Sequence, residues 1–285
     1  MGNQEVGRLN ATRFRPIGLF KHVLLLLAVA AIVFPPYILV MNAFKSKIEF
    51  SQTSVFKLPA SFLNFDNFVS VMQRAHLERA YLNTLTIIVI AVIGNVLLGT
   101  MVAFILGRFE FALKKTVFGA YIAVSFVPTI TTQVATFTVI HNLHLYNTIW
   151  ASIVLHFGTS VLQIFIYLQF IRNIPKELDE AAMMEGASLF RIFRTIIFPL
   201  LAPATATIAI IKTIDIYNDM FIPYLYMPSR SLTVVSTSLM NFSSERSTEW
   251  EMMSAAILMI MVPIVALYLF FQKYVFAGIV TGAVK

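Results

Sequence analysis

The chain is expected to be all-α: a polytopic membrane protein of six transmembrane helices, with a helical loop on the cytoplasmic side between helices 4 and 5. Three observations lead there. Charged residues make up only 12% of 285 and hydrophobic residues 58%, whereas a soluble domain carries about 25% charged residues. Six apolar runs each come close to, or exceed, the roughly 20 residues that cross a bilayer core. The basic residues gather in the short segments between those runs, where membrane topology puts them. There is no cysteine, which excludes disulfides and thiolate metal sites. The net charge of +7 is therefore read as topology and not as a nucleic-acid surface.

The runs cover residues 22–44, 82–106, 116–140, 149–171, 196–221 and 252–272. No small-residue cleavage site follows the first, so it reads as a retained anchor and not a signal peptide. Pro35 and Pro36, Pro128, Pro203 and Pro263 fall inside spans and predict kinks, because proline frees a backbone carbonyl that neighbours must satisfy. This divides the chain into a cytoplasmic segment 1–21, a six-helix domain 22–276 and a cytoplasmic tail 277–285.

An even number of spans puts both termini on one side. Thirteen Lys/Arg lie on that side, in 8–21, 108–115, 172–194 and at Lys273 and Lys285, against seven opposite (Lys45, Lys47, Lys57, Arg74, Arg79, Arg230, Arg246). Both termini are thus expected in the cytoplasm of a bacterial cell, with the chain in its inner or plasma membrane. Lys45 and Lys47, beside a helix end on the outside, run against the trend. The outer segment 45–80 is expected to be partly helical, with Phe65, Phe68, Val69 and Met72 on one face. It reads equally as a surface helix or a partner contact. The other outer segment, 224–251, is Ser/Thr-rich.

The inner segment 173–203 reads NIPKELDEAAMMEGASLFRIFRTIIFPLLAP. Pro175 suits a helix start, and Glu177, Asp179 and Glu180 crowd the first turns, where the helix dipole favours anions. Ala181 and Ala182 leave a narrow face open to close approach. Gly186 is placed to end that helix and Ser188 to cap a second. Leu189, Ile192 and Phe193 form the second helix's apolar side, with Arg191 and Arg194 opposite. From the residues alone, a docking loop and an amphipathic loop resting on lipid headgroups remain equally open.

Glu180-Ala181-Ala182, then Glu185-Gly186-Ala187, then Ile197-Phe198-Pro199 resembles the EAA loop of binding-protein-dependent ABC importer permeases. Glu185 stands where that pattern most often has Asp, and Phe198 where it often has Leu. The resemblance implies a coupling helix within 173–195 that docks in a separate ATP-hydrolysing subunit through Glu180, Ala181, Ala182, Glu185, Gly186 and Ala187. Gln272-Lys273-Tyr274 with 278–285 resembles the tail of the second, G-type permease of maltose-like carbohydrate importers. Tyr217-Asn218-Asp219-Met220-Phe221-Ile222-Pro223 and Asn83-Thr84 fit the same group. By that resemblance the tail residues Gly282, Ala283, Val284 and Lys285 touch the ATPase. The implied partners are a second, different permease, a cytosolic ATPase dimer and an extracytoplasmic sugar-binding protein. The chain itself holds no G-x-x-x-x-G-K-[ST] loop, so ATP and Mg belong to the partner and this subunit is not an enzyme.

Within the fifth span, Lys212, Asp215 and Asp219 fall at i, i+3 and i+7 and are expected on one face, turned from lipid. That face reads either as substrate pathway, with Asn218 and Asp219 meeting sugar hydroxyls and Tyr217 stacking, or as a buried ion pair that fixes packing. His156 and Gln163 share a face of the fourth span as hydrogen-bonding residues. Gly94 and Gly99 are expected to admit close helix packing. His141 and His144 lack companions at metal spacing. The alternatives kept open are a stand-alone secondary transporter or channel, and a permease for a non-sugar cargo such as a glycerol phosphate ester. An intramembrane enzyme would need a nucleophile and base that the Lys212–Asp219 face does not supply.

Overall fold

The protein was analysed as a computed structural model that describes residues 16–242 and 249–283, with side chains described for 20–242 and 249–272. The first fifteen residues of the expected N-terminal segment, and Val284 and Lys285 of the expected tail, lie outside the described residues. Among the described residues every element is a helix or a turn. Three helices are long and apolar enough to cross a membrane unbroken. They are α1 (Pro16–Ala43), α3 (Leu77–Arg108) and, as far as Gln272, α12 (Trp250–Ala283). A short outer helix α2 (Asp66–Arg74) lies between the first two.

The other three spans are each a bent pair. α4 (Lys114–Ser125) turns by 99° into a 3₁₀ turn and α5 (Gln133–Asn142). Pro128 opens that turn, so the expected kink is a right-angled break. α6 (Ile149–His156) and α7 (Val161–Arg172) meet at 47° with no proline between them. α8 (Glu177–Met184) and α9 (Leu189–Ile192) form the inner loop, and the chain winds on through a π turn at Phe193–Ile197 to Leu200. It then bends by 75° into α10 (Ala202–Asn218), with Pro203 at the second helical position, where a missing N–H costs nothing. A separate turn, α11 (Phe221–Tyr226), follows. Pro35, Pro36 and Pro263 sit inside helices that continue past them.

Two ends add detail to the expectation. The tail expected from residue 277 continues the helix of α12 as far as Ala283. At the outer end of α1, Lys45 is fully buried, and its ammonium donates to Asn42 Oδ1 and the Ser54 carbonyl, both at 2.9 Å. Burial lowers its pKa against the opposing pull of Glu49. Its charge is spent inside the outer segment, which explains how it sits against the positive-inside trend. Val71 and Asn67 form the buried side of α2, while Val69 points outward. Asn67 donates to the Ala43 and Lys45 carbonyls and so ties α2 to the end of α1.

α3 is the central post. It packs on α6, α7 and α10, while α12 packs on α1, α2 and α10. Glycines set the closest approach. A Cβ on Gly94 would sit 2.5 Å from the Phe157 ring, and one on Gly99 would meet the Gln163 amide, so the expected close packing is present and either side chain would have to shift to admit a larger residue. Side chains from α3 also serve the break between α6 and α7. Asn95 donates to the Gly158 carbonyl at 2.7 Å and its own carbonyl accepts from Gln163 at 3.1 Å. Backbone freed by a break inside a membrane must find such partners.

Candidate coupling and pathway sites

α8 is short and has no side-chain cap at its start. Its end is built with more care. Gly186 has φ +80°, the Gly186 N–H donates to the Met183 carbonyl and the Ala187 N–H to the Ala182 carbonyl. This is a Schellman closure, and a side chain at Gly186 would be strained by the backbone although nothing lies within 4 Å of its Cβ position. Ser188 then accepts from the Arg191 N–H and starts α9. The chain therefore reverses between α8 and α9 at the glycine the sequence marks.

The motif divides into an outward and an inward set. Glu180, Ala181, Glu185 and Gly186 are exposed, while Ala182 and Ala187 pack against the buried cluster of Phe104, Ile171, Ile192, Phe193 and Ile197. The narrow face expected from Ala181 and Ala182 together is thus split, with Ala181 alone outward. Around it Leu178, Met183, Met184, Leu189 and Phe190 stand exposed, Met184 at 89%. Leu189 is accordingly not part of the apolar underside formed by Ile192 and Phe193. A contiguous run of exposed apolar side chains around a loop tip is the character of an interaction surface.

Sequence reasoning missed what anchors this tip. Asp179 Oδ2 lies 2.8 Å from Nε of Arg108, the last residue of α3, and the two side chains are 13% and 6% exposed. Burial raises the Asp179 pKa, and the Arg108 guanidinium opposes that rise. The nearest sequence signal was an acidic residue at the third position of α8, which the helix dipole explains without any partner. Beneath it, the π turn joins α9 to the foot of α10 through Phe193, Ile197 and Leu201, all buried. α8 is thus tied to α3 by an ion pair and to α10 by continuous backbone.

In the membrane the structure gives the members of the expected polar face different partners. Lys212 Nζ and Asp215 Oδ2 pair at 2.9 Å on α10, with the aspartate 61% exposed. They border a cavity of about 150 Å³ with Asn95, Ser160 and Gln163. Asp219 follows directly as the C-cap of α10, and the backbone turns to extended there. Its Oδ1 accepts the N–H groups of Phe221 and Ile222, capping α11, and its Oδ2 lies 3.5 Å from His156 Nε2. The Ser152 carbonyl can only accept, so His156 Nδ1 donates to it at 2.8 Å and Nε2 faces the carboxylate. Tyr217 is buried and donates to the Ile260 carbonyl at 2.7 Å, so it faces α12 and offers no stacking surface. Asn218 is exposed. Gln163 and His156 lie on either side of the 47° break and not on one helix face. At the outer side, Asn83 donates to the Ser231 and Thr233 carbonyls and Thr84 accepts the Val235 N–H, tying α3 to the segment before α12.

Residues 95–280 match the family described as binding-protein-dependent transport system inner membrane component. The chain belongs to that family. The matched region takes in the coupling tip, all of α10 and the centre of α12. The chain is 35% identical to the melibiose/raffinose/stachyose import permease protein MelC of Bacillus subtilis (strain 168), over 88% of this chain and 91% of that one. It is 31% identical to the trehalose transport system permease protein SugB of Mycobacterium tuberculosis (strain CDC 1551 / Oshkosh), over 80% and 85%. Its fold is that of a crystal structure of a bacterial ABC transporter involved in import of the acidic polysaccharide alginate. That match has a TM-score of 0.80 at 20% identity and covers 95% of this chain and 99% of that one. Family members are membrane components of transport systems, so three continuous and three broken helices are read as six spans.

Proposed function

We propose that the chain is one permease subunit of an ATP-driven importer of neutral sugars, oligosaccharides foremost. It forms half of the pathway, has both termini in the cytoplasm and passes the work of a separate ATPase to its helices. The observation that carries the coupling role is the tip at α8. An exposed apolar patch surrounds Glu180, Ala181, Glu185 and Gly186 and is joined to α3 by the Arg108–Asp179 pair and to α10 by the π turn. The partner ATPase dimer supplies ATP and Mg chemistry, a second permease completes the pathway, and an extracytoplasmic sugar-binding protein delivers cargo. Lys212, Asp215 and Asn218 are the pathway residues, and the small cavity beside Asn95 and Gln163 gives sugar hydroxyls both donors and acceptors. An anionic cargo would call for more cations within the spans than Lys212.

The test is ATP hydrolysis by the purified assembly in lipid, with and without binding protein loaded with candidate sugars, for wild type and Gly186→Asp. Stimulation by one sugar in wild type, lost in an assembled variant, supports the reading and identifies the cargo class. A chain that purifies without an ATPase, or a variant that transports normally, would falsify it in favour of a stand-alone transporter.

A further inference from the structure

A cationic cleft lies beside the coupling tip and shares Arg108 with it. The inner ends of α3, α4 and α7 and the approach to α8 enclose a cleft of about 1010 Å³. Two of its cations are already engaged, Arg108 with Asp179 and Lys114 with Glu110 at 2.8 Å. Lys115, Arg172 and Lys176 also line it; all three are exposed and, among the described residues, make no ion pair within 4.0 Å. Glu110 and Glu177 are its acids. The floor is apolar, formed by Leu106, Leu168 and Phe118, which pack in one cluster with Tyr121. Farther along α4, Val117, Ala120, Tyr121 and Val124 border a second cleft of about 510 Å³, lined almost wholly by apolar surface. The cationic end lies at the helix termini and the apolar cleft lies toward the membrane interior.

We propose that this pair of clefts holds an anionic phospholipid of the cytoplasmic leaflet, its phosphate headgroup among Lys115, Arg172 and Lys176 and an acyl chain along α4. Three cations without ion-pair partners at the inner membrane surface attract anionic headgroups, and a free phosphate would have no use for the apolar cleft beside them. A helix end held this way braces the foot of α7 next to α8. Assigning the cleft to the inner leaflet rests on the topology proposed above. Lipid retention needs no ATP hydrolysis, so the two readings fail separately.

The test compares the assembly carrying wild-type chain, the variant Lys115→Gln/Arg172→Gln/Lys176→Gln and an outer-surface control, Lys57→Gln/Arg79→Gln/Arg230→Gln. Each is exchanged from vesicles of phosphatidylcholine with phosphatidylglycerol into mild detergent, and retained lipid is counted by native mass spectrometry. Each cation near the surface contributes about a fivefold factor, so the inner triple variant is expected to lose affinity for phosphatidylglycerol on the order of a hundredfold while the control does not. If the triple variant fails to assemble, Arg172→Gln alone is read, with about a fivefold loss expected. Equal retention by wild type and the inner variant overturns the proposal, as does equal loss in the control. Displacement of the lipid by inorganic phosphate alone would reassign the cleft to a free anion. Retention by the isolated chain but not by the assembly would reassign it to a partner subunit.

Discussion

The coupling tip and the mid-membrane polar cluster invite comparison, because the sequence marked both and the partners that fix them act over different ranges. At the tip, Gly186 and Ser188 work through their own backbone neighbourhood, as a left-handed cap and an N-cap. Such roles are local, and local roles survive being read from a short stretch of sequence. In the membrane, Lys212, Asp215 and Asp219 were grouped by assuming an unbroken helix. The helix stops at Asn218, and Asp219 at its cap turns its carboxylate to His156 and to the first N–H groups of α11. Helical periodicity places residues on a face but does not choose their partners.

The largest expected effect tests the part of the tip that is not local. Arg108→Ala leaves the little-exposed Asp179 without its guanidinium partner and should cost about 3–5 kcal/mol, read as the midpoint of thermal loss of helix in detergent. The double variant with Asp179→Asn should regain part of that loss, and simple additivity would break the pairing account. Next, Gly94→Ala drives a methyl to 2.5 Å from the Phe157 ring and should cost about 1–3 kcal/mol by the same readout, whereas an unchanged midpoint would mean α6 can move away. Asn95→Ala deprives the Gly158 carbonyl of its donor and should cost about 1–2 kcal/mol, with hydrogen exchange rising at the break between α6 and α7. Gly186→Ala strains one residue by about 1–2 kcal/mol and should barely alter assembly while impairing coupled ATP hydrolysis. Smallest in stability is Asp215→Asn, about 0–1 kcal/mol because the carboxylate is largely exposed. A drop in sugar uptake there with normal assembly sharpens the pathway reading, and normal uptake removes it.

Parts of what the sequence hid were spelled in it. Ser160-Val161-Leu162-Gln163 has the S-x-x-Q form of a helix start, and Ser160 does accept the Gln163 N–H, yet its apolar surroundings disguised the break. Asp219, two residues before Phe221 and four before Pro223, carried a cap signal that its grouping by spacing with Lys212 and Asp215 obscured. By contrast, no pattern along the chain links Arg108 to Asp179 or Asn95 to Gly158.

Sequence alone was enough for the membrane class, the six runs, the helical loop between the fourth and fifth of them and the reversal at Gly186. Each follows from composition, run length or the conformational limits of single residues, which act over a few neighbours. Tertiary structure decided which spans bend and by how much, that Ala181 faces out and Ala182 in, that Tyr217 serves α12, and that Lys45 is buried. Those outcomes depend on partners many residues away. In a membrane interior each freed carbonyl or buried charge takes its partner from whichever helix packs closest, and that choice is made only when the helices meet.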